Sequence, residues 1–234
     1  MTALMKTSSV MIPIANYGTL ALVEMGFFVL LPLFYSSPIE IGGLGFSPHI
    51  IGTFLAIFGL VDGIVQASFA AKLIEWFGPK KVFCSAVLWY YPLILLFPIM
   101  SAVVTAQGRV RPIIWILLVI QLVFMVLMDL SYSTFCPSPG RYTIHLCHVA
   151  VIFIFVTRAA PNKQSLGSVN GLGQSFTSIA RAIGPVLTSS LFAVSKEYNI
   201  LGGNLVYVVL ALLTTILVVL SRCLPDLKDE NEVE

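Results

Sequence analysis

At 234 residues the chain is long enough for one large domain, but 58% of it is hydrophobic, 10% is charged and its mean hydropathy is +0.95, which excludes an ordinary water-soluble domain. The formal charge of +2 comes with no basic face interleaved with aromatics, so nucleic acid is excluded as a partner. Several stretches run for about 20 residues with at most one charge, the length a helix needs to cross a bilayer.

The first apolar window, Val10–Tyr35, follows a single lysine, Lys6, and far exceeds a signal-peptide core, so it reads as a retained helix. A loop rich in Gly, Pro and Ser (SSPIEIGGLGFSP) leads to a second window, Pro48–Ala71. The charged connector KLIEWFGPKK separates this from a third, Val82–Val104, and the polar turn TAQGRVRP from a fourth, Pro112–Tyr132. The last two windows are Leu166–Val194 and Ile200–Ser221, joined by a short turn at Lys196–Asn199. Backbone polar groups in lipid must be satisfied within the segment, and the alternation of barrel strands is absent. The expected fold is all-α, a bundle of about six transmembrane helices in an integral, multi-pass membrane protein.

Lys6, Lys72, Lys80, Lys81, Arg158, Lys163, Arg222 and Lys228 fall on one side of this arrangement, and Arg109, Arg111 and Lys196 on the other. The first side is therefore expected to be cytoplasmic, with both termini there. Residues 1–225 form the membrane domain, and the acidic residues 226–234 read as a solvated cytosolic tail. Between the fourth and fifth windows the segment STFCPSPGRYTIHLCHVA fits no span, and the run after it, VIFIFVT, is too short to cross alone. Cys136, His145, Cys147 and His148 in that segment lack the paired short spacing of a metal site, so no metal is expected. With Cys84 and Cys223 the four cysteines form no regular framework, and no disulfide is inferred.

Four ionisable residues fall inside spans, where each demands a partner or a role: Glu24, Asp62, Asp129 and Arg181. At about 1.5 Å per residue, Glu24 and Arg181 lie at similar depth, so these two are expected to pair, with Asp62 as the competing partner. A membrane carboxylate that exchanges a proton can couple protonation to alternating access, and Glu24 is the first candidate for that task. A fixed ion pair that locks helix packing is the structural alternative. In GSVNGLGQSFTSIARAIGP, small residues permit close helix approach, while Asn170, Gln174, Ser175 and Ser178 offer interhelical hydrogen bonds. Gly184–Pro185 then marks a place where the helix is expected to weaken.

The stretch APNKQSLGSVNGLGQSFTSIARAIGPVLTSSLF resembles a loop and helix of fungal and plant major facilitator superfamily transporters of the drug:proton antiporter type, including the zinc-induced-facilitator-like group. AKLIEWFGPKK is similar to the superfamily's signature between its second and third helices, which recurs in weaker form between the eighth and ninth. Glu75, Gly78, Lys80 and Lys81 occupy the motif positions of this gating loop; Trp76 and Pro79 replace basic residues, which suits the C-terminal copy. The resemblance implies a C-terminal six-helix half built of two three-helix inverted repeats. It also makes Asn170, Gln174 and Ser178 cavity-lining candidates and 134–150 an insertion into the fourth helix.

The resemblance further implies secondary active transport of a small solute by proton-coupled antiport. Membrane lipid, the solute, the proton and an N-terminal six-helix half or another protomer are the expected partners, with no cofactor. Plasma and vacuolar membranes read alike. The alternative is a non-transporting fragment or regulator that acts through helix association. No enzyme is expected: His49, His145 and His148 lack a nucleophile or carboxylate at a recognised spacing, and neither GxSxG nor GxxxxGK[ST] occurs.

Overall fold

The computed structural model describes residues 8–129, 151–162 and 164–225. The proposed insertion at 134–150, its cysteines and histidines, Lys6, Lys163 and the acidic tail lie outside the described residues. The helices are α1 (Ser8–Ser36), α2 (Pro48–Val65) with a π turn at Gln66–Ala70, α3 (Ala71–Phe77), α4 (Pro79–Leu88), α5 (Tyr90–Gln107), α6 (Pro112–Asp129), α7 (Val151–Arg158), α8 (Leu166–Glu197) and α9 (Leu205–Arg222). Among the described residues no strand occurs, and six helical stretches are long and apolar enough to cross a membrane. The protein is an integral, multi-pass helical membrane protein.

The third span differs from the single helix expected over Val82–Val104. It breaks at Trp89, between α4 and α5. Pro92, in the first turn of α5, has no N–H to offer the carbonyl one turn back, which falls at Leu88, the last residue of α4. The break leaves Tyr90 at the head of α5, fully buried.

α1 is the central helix, with 61% of its most apolar stretch buried, against 11% for α2 and 22% for α8. Its longest contact is with α8. Tyr17 and Ile14 stand beside Gly173, Leu22 and Met25 beside Gly184, and Gly26 beside Thr188, so the two helices ascend together in parallel. A Cβ on Gly184 would stand 3.0 Å from the Leu22 carbonyl oxygen, and one on Gly26 would stand 2.6 Å from Thr188 Oγ1. The crossing is that close only because both residues are glycine. This clamp also explains why α8 runs unbroken through Pro185, where a weakness was expected: neighbouring side chains hold both flanks of the proline.

The aromatic core lies where α1, α5 and α9 meet. Phe97 packs edge-on against Phe34 at 5.1 Å and stacks on Tyr207 at 5.6 Å. Polar ties cross the same core: Tyr35 Oη donates to Gln121 Oε1 at 2.8 Å, and Asn16 Nδ2 donates to the Leu220 carbonyl at 2.9 Å.

The neighbour relations have a symmetry. Span 1 packs on span 5 (α1 on α8) and span 4 on span 2 (α6 on α2). Span 1 packs on span 6 (α1 on α9) and span 4 on span 3 (α6 on α5). Exchanging the first three spans with the last three carries each contact into another, the pattern expected of two three-helix repeats. Among the described cations, Lys72, Lys80, Lys81, Arg158 and Arg222 sit at one end of the bundle and Arg109, Arg111 and Lys196 at the other.

Candidate functional site

The first four spans bring three acids towards one another. Asp62 on α2 and Asp129, the last residue of α6, are near enough for their charges to bear on each other, and Asp129 also faces the charge of Glu24 on α1. By rise per residue, all three stand roughly 18–26 Å from the bundle end marked by Ser36, Pro48 and Pro112, well inside the membrane. Gln66, one helical turn after Asp62 and at the start of the π turn, donates from Nε2 to Asp62 Oδ2 at 2.7 Å. Tyr90 completes the cluster, its phenol lying near both Glu24 and Asp129.

Arg181 is placed differently. Glu24 is only 8% exposed, whereas Arg181 is exposed on the flank of α8, so the two residues expected to pair differ in burial. Depth along two helices fixes height but says nothing of azimuth. At 100° per residue, Arg181 sits some 80° from Gly173, at the edge of the face turned towards α1.

The azimuth of Arg181 defines a second feature. Gln174, Ser178 and Arg181, spaced by four and three residues, share one exposed flank of α8, with Asn170 at its inner border. The next flank carries exposed Phe176, Ile179, Ile183 and Val186. α8 thus has three faces: a small-residue face against α1, a polar face and an apolar face. Gln174 Nε2 donates to Tyr17 Oη at 3.4 Å, and Asn170 Oδ1 is enclosed without a hydrogen-bond partner among the described residues.

The gating-loop residues fall at a helix junction. α3 ends at Phe77, and Gly78 turns with φ +79° where no atom would crowd a side chain, so the backbone conformation requires the glycine. Lys80 and Lys81 open α4, within its first turn, and Glu75 lies on α3. Lys81 lines an apolar cleft of about 350 Å³ with Phe77, Val82, Trp89 and Leu127. Sequence reasoning found the three acids but not Gln66 or Tyr90. Gln66 stands four residues after Asp62, a helical spacing that signals the contact. Tyr90 carries no comparable signal.

The major facilitator superfamily multidrug transporter mfsB of Aspergillus fumigatus is 28% identical over 201 residues, covering 82% of this chain and 30% of the relative. The major facilitator-type transporter psiT2 of Psilocybe cubensis is 25% identical over 203 residues, covering 80% of this chain and 34% of that protein. Its namesake in Psilocybe cyanescens is 27% identical over 194 residues, covering 76% and 32% respectively. The chain is similar to major facilitator transporters over some four-fifths of its length. It spans about a third of the length of the curated relatives it matches. Its six spans and their exchange symmetry fit one half of a major facilitator fold. No protein-family model matches the sequence, and no solved structure matches it.

Proposed function

We propose that this chain supplies one six-helix half, the C-terminal one, of a secondary active transporter that moves a small solute in exchange for protons. The observation that carries the reading is the polar flank of α8. Gln174, Ser178 and Arg181 are exposed along a helix that crosses lipid, and an arginine facing hydrocarbon costs at least a few kcal/mol on insertion scales. Such a flank belongs against water or protein, as the wall of a translocation path does.

The expected second half has surfaces ready for it. α2, the least covered span, exposes Gly52, Ala56, Gly59 and Gly63 in one stripe, and nothing stands within 4 Å of where side chains on its three glycines would begin. Small residues at these spacings admit a neighbouring helix closely. The relatives' printed names describe a multidrug transporter and major facilitator-type transporters, which agrees with a small organic solute.

Single cysteines at positions 174, 178 and 181, in a background without the four native cysteines and reconstituted in vesicles, test the wall. They should react with a membrane-impermeant maleimide at least tenfold faster than cysteines at 179, 183 and 186. Equal rates on the two flanks would show that no aqueous path runs along α8. Flux of a fluorescent drug driven by an imposed pH gradient tests transport, and the non-transporting alternative predicts none even when the missing half is supplied.

A further inference from the structure

At the bundle end that carries Arg109 and Arg111, three parts of the chain close around a cavity of about 360 Å³: the turn Ile39–Ile41 with Gly42, the last turns of α5, and the end of α8 with the turn that follows it. Lys196, in the last turn of α8, reaches into this cavity between two glycines. Its Nζ lies 3.3 Å from where a side chain would begin on Gly42 and as far from the same point on Gly203, both buried, at φ +81° and +76°. A larger residue at either place would crowd the amine, so the backbone of two loops builds the seat. Nζ stands 5.8 Å from the centre of the Phe192 ring, and among the described residues it has neither a hydrogen bond nor a carboxylate in ion-pair contact. Ser101 and Thr105, one turn apart on α5, line the same cavity with Asn199, and their side chains also lack hydrogen-bond partners among the described residues. Glu40 lines it from the exposed rim. A half-buried ammonium gives up part of its hydration, and an aromatic ring offsets only some of that loss. An anion would offset the rest.

We propose that this cavity binds a phosphate-type oxyanion, with Lys196 as the charge and Ser101, Thr105 and Asn199 as the donors around it. Ser101 Oγ and Lys196 Nζ both adjoin the point where a Gly42 side chain would begin, so hydroxyl and amine converge on one place from two spans. Donors that arrive from separate elements suit a tetrahedral oxyanion better than a planar carboxylate, which is met best by a fork in one plane. Arg109 and Arg111, at the same end, add positive charge that draws anions towards it. Glu40 opposes them, and its like charge weakens the site without filling it. Bound there, the oxyanion ties the loop between the first two spans and α5, all of the first repeat, to α8 of the second. A free anion and the phosphodiester of a lipid headgroup share this chemistry. The site does not rest on the transporter reading.

The purified native chain in a maltoside detergent, which carries no phosphate, provides the test. Acetylation of each lysine is followed by mass spectrometry with inorganic phosphate, with phosphatidylglycerol, or with sodium acetate at matched ionic strength. Saturating inorganic phosphate should slow acetylation of Lys196 about tenfold, since only the unoccupied fraction reacts, and leave Lys72 and Lys81 at the other end of the bundle unchanged. Protection by inorganic phosphate assigns a free oxyanion, protection by phosphatidylglycerol alone assigns a lipid headgroup, and either supports the site. Protection by neither, equal protection by acetate, or equal slowing of Lys72 and Lys81 would overturn it. Glu40→Gln, a change at an exposed position, should lower the concentration for half-protection about threefold, because a like charge leaves the cavity. An unchanged or weaker response would show that no anion lies between Glu40 and Lys196, and would overturn the proposal as well. These measurements follow binding without transport, so their failure leaves the transporter reading standing.

Discussion

Gly184→Ala isolates the contact on which the bundle most depends. The new methyl carbon would stand 3.0 Å from the Leu22 carbonyl oxygen and 3.1 Å from Met25 Cβ, at least a few tenths of an ångström inside ordinary contact. The carbonyl belongs to helix backbone and cannot swing aside, so α1 and α8 must part along much of their shared length. Overpacking of this kind costs about 1–3 kcal/mol. Alanine also improves helix propensity over glycine by about 0.5–1 kcal/mol, which partly offsets the clash. Gly171→Ala supplies the reference, since it lies on the same helix with nothing within 4 Å of the new carbon. The net expectation is a Gly184 variant less stable than the Gly171 variant by about 1–3 kcal/mol, measured as the difference in unfolding free energy in bicelles by steric trapping. Equal stabilities would mean that α1 and α8 do not cross as closely as described.

Tyr35→Phe removes the donor of the buried bond to Gln121, whose Nε2 already lacks a partner among the described residues, and should cost about 1 kcal/mol in the same assay. Full stability in the variant would show that the bond holds nothing together. Cysteines placed at Lys80 and Arg109 should label from opposite faces of sealed vesicles, because the two lie at opposite ends of the bundle. Labelling of both from one face would refute the up-and-down order of the spans.

Height along each span was legible in the sequence because apolar runs must match the thickness of a bilayer, and charges mark where each run ends. Azimuth was legible only where spacing repeats. The face of α8 turned to α1 shows as small residues every four positions, so its close packing was expected, and the glycines at 173 and 184 lie on it. Glu24 and Arg181 are single charges on separate helices, and nothing in their spacing records whether they point towards one another. Near the acids lie two local departures from regular helix, the π turn at Gln66–Ala70 and the break at Trp89. Neither departure has a strong sequence mark: Pro92 lies three residues beyond its break, and QASFA has no mark at all. Gln66 reaches Asp62 at ordinary helical spacing, whereas Tyr90 stands at the break with no spacing to announce it. Pattern reading therefore recovers which residues are costly in lipid, while their company depends on how separate helices face one another.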